Sequence, residues 1–192
     1  MDAALKLFAD GGYKATTIGA IETQAGLAPR SGALYQHFKG KQQLLEAMLD
    51  RELAGMDELA HAMEMFPLGD LRAELTMLAR WNLASLDRRA TLIRFVRREA
   101  ELLPERQRAQ LYDRLVATPY AEIVAWLGAR FQEAGIDAPD LDALALILVE
   151  SMAAYRDLDR VFGQVPGGVD DERFVQAWVD TALAVSRRHG LS

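Results

Sequence analysis

Arg30, Ser31, Tyr35, Gln36 and His37, followed at once by Lys39 and Lys41, are the side chains whose types and spacing suit a defined chemistry. They gather hydrogen-bonding and cationic groups into one short stretch. Gly32 and Ala33 among them are small enough to let backbone come close to a partner. Such a set fits a short helix in the major groove of DNA, with hydrogen-bonding groups near its N-terminus at base edges. Lysines at the start of the next helix suit phosphate. The same composition also suits the polar surface of a small helical bundle, and on composition alone both readings stand.

Other chemistries lack their groups. There is no cysteine, which excludes disulfides, thiolate catalysis and cysteine-ligated zinc. His37, His61 and His189 have no partner at metal-binding helical spacing. Neither a phosphate-binding glycine loop nor a nucleophile elbow is present. Glu99 and Glu101 stand beside Arg97 and Arg98 and read as solvated surface charge, and the cluster Arg88, Arg89, Arg94, Arg97 and Arg98 could hold an acidic ligand, with an exposed face as the plainer reading. No catalytic residue, metal or other cofactor is expected.

The elements that must position the polar set are short amphipathic helices. Ile18, Ile21 and Ala25 share one side of a first helix, Leu34 and Phe38 one side of a second. Thr17 is placed to cap the first, Gly26 closes it, and Pro29 sits in the turn between them. Ahead of them Asp2 to Asp10 reads as a helix stopped by Gly11 and Gly12.

The order of residues closely resembles the DNA-binding domain of the tetracycline-repressor (TetR) family of bacterial regulators. It is carried by Ala3-Ala4, Leu7-Phe8, Gly12-Tyr13, Thr16-Thr17-Ile18, Ile21, Ala25-Gly26-Leu27, Leu34-Tyr35, His37-Phe38, Lys41 and Leu44-Leu45, about the first quarter of the chain. The resemblance implies that Leu34 and Phe38 anchor a recognition helix and that Tyr35, His37 and Lys41 touch phosphates. Arg30, Ser31, Ala33 and Gln36 then face base edges, and Thr17 and Lys39 complete the contact set. Two departures bear on this. The link from Gly26 to Tyr35 is two residues longer than the family's usual turn, and Glu22 stands where the family has alanine. A carboxylate there is costly to bury unpaired, and a longer turn could let it reach solvent or Arg30. Family members also carry a basic arm upstream, and this sequence begins inside the first helix.

Net charge is −6, yet residues 14–41 hold four basic groups against one acidic, a local +3. So few cations in one copy imply that two copies share the DNA. No apolar run reaches membrane-spanning length and no signal-peptide pattern opens the chain, so a cytoplasmic location is expected.

The remaining residues read as helices throughout. Leu44, Leu45, Met48, Leu49, Leu53 and Met56 predict a long helix from Lys41 towards Phe66, ended by Pro67, as the only covalent link from the DNA-reading part to the rest. Asp70 caps the next helix, another ends at Pro104, and a kink is expected at Thr118-Pro119. The expected fold is all-α, with a helix-turn-helix DNA-binding domain over 1–45 and a helical ligand-binding and dimerisation bundle over 46–192. Met56, Met63, Met77, Trp81, Phe95, Tyr112, Tyr120, Trp126 and Met152 are of the types that line adaptable apolar pockets, though each type also fills ordinary cores.

The helix from Asp140 to about Phe162 and that from Asp170 to Arg188 carry apolar stripes wide enough for burial on two faces. Leu144, Leu148, Met152, Phe174, Trp178 and Leu183 are the expected interface with a second copy, with a well-buried core as the plainer reading. A ligand-responsive regulator, most often a repressor, acting as a homodimer on a pseudo-palindromic operator follows from the resemblance. A helical carrier or enzyme for an apolar small molecule is the alternative.

Overall fold

The computed structural model describes residues 1–28, 32–54 and 68–188. Every regular element among the described residues is helical. In chain order these are α1 (Asp2–Gly11), α2 (Ile18–Gln24), a 3-10 turn at Leu34–Gln36, α3 (Lys41–Ala54) and α4 (Leu71–Arg88). There follow α5 (Ala90–Glu99), α6 (Glu105–Tyr112), α7 (Thr118–Glu133), α8 (Leu141–Phe162) and α9 (Asp171–Arg188). The long helix expected from Lys41 is seen as far as Ala54. Met56, Met63, Phe66 and Pro67 lie outside the described residues, as do Arg30, Ser31, His61 and His189.

The chain groups into two compact units, one of residues Met1–Glu58 with Arg89–Val116, the other of Leu59–Arg88 with Ala117–Ser192. Compactness therefore divides the chain elsewhere than at 45/46. The physical reason is burial: Leu92, Phe95, Leu103 and Leu111 share one apolar core with Phe8, Leu44 and Met48. The chain passes between these two units again after Arg88 and after Val116.

In the first unit α1 turns Ala4, Leu5, Phe8 and Ala9 inward, a helical stripe that packs along α5 and α3. The rings of Phe8 and Phe95 stand 6.3 Å apart. Thr17 caps α2 as expected, its hydroxyl accepting from the Ala20 N–H at 3.2 Å. The same helix ends where Gly26, at φ +75°, lets Leu27 N–H reach the Glu22 carbonyl at 2.8 Å and Gly26 N–H that of Thr23 at 3.0 Å. That stop puts Ala25 beyond the helix, exposed and off the expected stripe.

In the second unit α4 packs against α9 and α8, and α7 against α8. Asp70 and Asp140 cap α4 and α8 through their carboxylates, the first accepting from Arg72 N–H at 2.9 Å, the second from Ala143 N–H at 3.0 Å. Leu75, Leu83, Trp126, Leu148, Met152 and Val179 are among the residues that fill its core. Glu74, 1% exposed, is paired with Arg130 at 3.2 Å and accepts from the Leu68 N–H at 2.6 Å, which offsets part of the cost of burying its carboxylate. The kink expected at Thr118-Pro119 takes the form of a π-helical turn, Asp113–Ala117, immediately before α7.

Candidate nucleic-acid interface and apolar cavity

The polar stretch rests on a single helical turn rather than on a second helix. Gly32, at φ +72°, precedes it, and the bonds Tyr35 N–H to Gly32, Gln36 N–H to Ala33 and His37 N–H to Leu34 are all of the tight i to i+3 kind. Only the last, Phe38 N–H to the Leu34 carbonyl at 2.8 Å, has α-helical spacing. Leu34 and Phe38 are half-buried against the first unit's core, so the turn is pinned from beneath. Tyr35, Gln36 and His37 are left exposed, with Tyr35 at 59%. Ala33 is half-buried and Thr17 exposed. The expected base-facing Arg30 and Ser31 fall outside the described residues.

The two lysines separate in role. Lys39 is exposed, and its backbone N–H donates to Gln43 Oε1 at 2.6 Å, which ties the turn to the first coil of α3. Lys41, expected at phosphate, instead points into the α1–α2 loop. Its ammonium donates to the carbonyls of Tyr13 at 2.8 Å, Thr16 at 3.0 Å and Lys14 at 3.3 Å. It also lies 4.5 Å above the Tyr13 ring. Three protons with three acceptors leave none for a phosphate in this arrangement. Tyr13 was no part of the expected set, and only its place in the Gly12-Tyr13 pair marked it. Its phenol is held above its ordinary value by burial and then by the Glu46 carboxylate.

Glu22 is 1% exposed and is not isolated there, so its expected escape to solvent does not occur.

In the second unit Trp81, Trp126 and Met152 line one narrow apolar cavity together with Leu78, Leu148 and Trp178. Its free volume is about 20 Å³, room for a single water. Asn82 adds an amide to this wall; the apolar spacing of its helix gave no hint of it. The other residues expected to line a pocket sit elsewhere. Phe95 is fully buried in the first unit's core, and Tyr112 is 62% exposed on that unit. Met77 is 39% exposed on α4. Tyr120 packs on the same apolar cluster as the cavity, but its hydroxyl donates to the Asp142 carbonyl.

The expected interface residues turn inward. Leu144, Leu148, Met152, Trp178 and Leu183 are between 2% and 9% exposed within their own unit, and Phe174 stacks on Tyr155 with ring centres 4.1 Å apart. The surface of α8 carries different apolar residues. Ile147 is 66% exposed, Leu146 53%, Val161 68% and Phe162 67%. Ala143, Ile147, Ala154, Leu158 and Val161 recur at helical intervals along one face of α8, and exposed Ala177, Thr181 and Ala184 do so on α9. Among the described residues no helix is long and apolar enough to cross a membrane, and no cluster of acidic, histidine or cysteine side chains could hold a metal.

Known proteins are similar to the N-terminal segment and to the whole length of the chain. The family model described as bacterial regulatory proteins, tetR family, matches residues 1–48. The transcriptional repressor KstR2 of Mycolicibacterium smegmatis is 50% identical over 46 residues, which are 24% of this chain and only 22% of that protein. The transcriptional regulator TtgR of Pseudomonas putida is 32% identical over 200 residues, spanning 97% of this chain and 89% of its own. The fold matches that of a Clostridium perfringens protein described as a putative fatty acid metabolism regulator, with a TM-score of 0.74 at 18% identity over 95% of each chain.

Proposed function

Since this chain belongs to the tetR family of bacterial regulatory proteins, a family of helix-turn-helix transcriptional regulators, we propose that it is a ligand-responsive repressor. It binds a pseudo-palindromic operator as a homodimer and is released by a small, largely apolar effector. The observation that carries this reading is the exposed turn Tyr35–Gln36–His37, pinned from beneath by Leu34 and Phe38. A rigid mount with free polar tips is what groove recognition requires. In this reading residues 1–45 read DNA and 46–192 bind effector and partner. Tyr35, His37 and Lys39 serve phosphate, while Gln36, with Arg30 and Ser31, serves base edges.

Two copies are needed because one offers few cations to the phosphates, and two reading turns must lie about one DNA turn apart, roughly 34–36 Å. The outer apolar face of α8, with the small-residue face of α9, supplies a surface for the second copy. The effector enters the apolar cluster around Trp81, Trp126 and Met152, with Asn82 as a polar contact. Ligand sites usually enclose about 300–1,000 Å³, so binding must open the present cavity, and that opening is the differential interaction a released state requires. A coupling of about 1–3 kcal/mol is the usual scale.

Fluorescence anisotropy with the DNA immediately upstream of its own gene tests the reading. Saturable binding that outlasts competition by random duplex is expected. Equal affinity for both DNAs at moderate salt would remove the operator, and with it the repressor.

A further inference from the structure

We infer that Lys41 is a positioning residue for DNA binding: its ammonium fixes the α1–α2 loop rather than neutralising a phosphate. This rests on the DNA-binding reading above and concerns how that binding is built. The loop from Gly12 to Thr17 has backbone carbonyls with few partners of its own. Thr16 serves the Gly12 carbonyl, its N–H at 3.2 Å and its hydroxyl at 2.8 Å, and the same hydroxyl lies 3.2 Å from the Leu7 carbonyl. The Tyr13, Lys14 and Thr16 carbonyls converge on Lys41 Nζ, at 2.8, 3.3 and 3.0 Å. One half-buried side chain from α3 therefore serves three of the six backbone carbonyls from Gly12 to Thr17.

The fourth side of the ammonium is covered by the Tyr13 ring, 4.5 Å away, and that ring is itself fixed. It meets Phe8 edge-on at 5.2 Å, and its hydroxyl donates to Gln42 Oε1 at 3.2 Å. Lys41 and Tyr13 thus tie α1, the loop and α3 into one piece. The loop ends at Thr17, the cap of α2, so the attitude of α2 depends on it. The geometry also discriminates between cations. Three carbonyls around one point suit the three protons of an ammonium, whereas a planar guanidinium offers its donors in a flat fork.

Three variants and one DNA-free measurement decide the matter. If Lys41 positions the loop, Lys41→Arg and Lys41→Met both weaken binding to the upstream DNA, by about tenfold or more. A phosphate contact predicts instead that Lys41→Arg binds like the wild type, and that outcome overturns the inference. Lys39→Ala is the reference for a true phosphate contact and should lower the slope of log affinity against log salt by about one. Independently of DNA, amine labelling of the intact protein should modify Lys41 several-fold more slowly than exposed Lys14 and Lys39. Labelling of Lys41 at their rate overturns the inference even if the Lys41 variants prove insoluble. A wild type that binds no DNA refutes the regulator reading, and the labelling result still decides the place of Lys41.

Discussion

The indole N–H of Trp178 on α9 donates to the backbone carbonyl of Leu148 on α8 at 2.9 Å, inside the core of the second unit. Both residues belong to the set expected between two copies, and this bond shows them facing each other within one. The carbonyl keeps a second donor, the Ser151 hydroxyl at 2.8 Å. Trp178→Phe should therefore cost only the net worth of one buried hydrogen bond and some packing, about 1–2 kcal/mol. A lower denaturation midpoint with unchanged self-association is expected. Loss of self-association at wild-type stability would return Trp178 to the interface.

In the proposed homodimer the partner-facing surface is the outer side of α8. Ile147→Glu places a carboxylate on a residue that is 66% exposed in one copy, so the fold should survive while the dimer dissociates. Leu148→Glu, one residue on, buries an unpaired charge in the core and should unfold the unit. Light scattering beside far-ultraviolet circular dichroism separates the two. An Ile147→Glu protein that stays dimeric would move the interface off this face.

Periodicity made some of this legible and hid the rest. Caps were readable because they depend on one side chain and its local geometry: Thr17 and Asp70 each cap the helix expected of them. The helical stripes of α3 and α8 were readable too. A stripe, however, says that a residue is buried and not against what. Phe95 and Trp126 look alike in sequence, yet one packs on Phe8 and the other lines a cavity in the other unit. For α8 the sequence shows apolar residues all round, and nothing local tells Leu148 from Ile147. The carbonyl contacts of Lys41 were not legible because its partners lie 25–28 residues away, where spacing carries no information.

Phe95 offers a direct check on that division. Its truncation to alanine empties the first unit's core and should cost about 3–5 kcal/mol, with DNA binding lost through unfolding. Trp126→Ala opens the cavity of the second unit and should change the response to effector while ligand-free DNA affinity is kept. If Phe95→Ala left stability intact and altered only the effector response, Phe95 would belong to the pocket after all.

Acid should act on the second unit through Asp171. Arg156 grips its carboxylate with two bonds, at 2.5 and 2.7 Å, and the Tyr155 hydroxyl donates at 2.8 Å. The Arg156 bond is the main reason its pKa lies below the usual 3.8, against the opposing effect of burial. The folded state then holds fewer protons than the unfolded one, so the stabilisation is present above 3.8 and is lost as pH falls through the lower folded value. Tyr155 gives the opposite limb. Burial first, then Asp171, pushes its phenol up to about 12, so its contribution holds below 10 and goes as pH rises through about 12. Asp171→Asn should lower the urea midpoint at neutral pH and flatten its fall below about pH 4. Parallel acid limbs in the two proteins would show that the pair carries no linkage.

The reading turn makes the sharpest separation of roles. Tyr35, Gln36 and His37 are exposed together on one turn, yet only the amide of Gln36 can offer a donor and an acceptor side by side to a base edge. Gln36→Ala should cost about 1–3 kcal/mol on the operator and little on random DNA, which relaxes preference at one base pair of each half-site. Tyr35→Phe and Lys39→Ala, acting at phosphates, should weaken both DNAs alike, and Lys39→Ala should also make binding less sensitive to salt. Because the turn is pinned by Leu34 and Phe38 rather than extended into a longer helix, few side chains can reach bases from it. The effect of Gln36→Ala should therefore be confined to one position in a systematic operator scan. Equal losses on operator and random DNA for Gln36→Ala would assign base reading to the segment before Gly32.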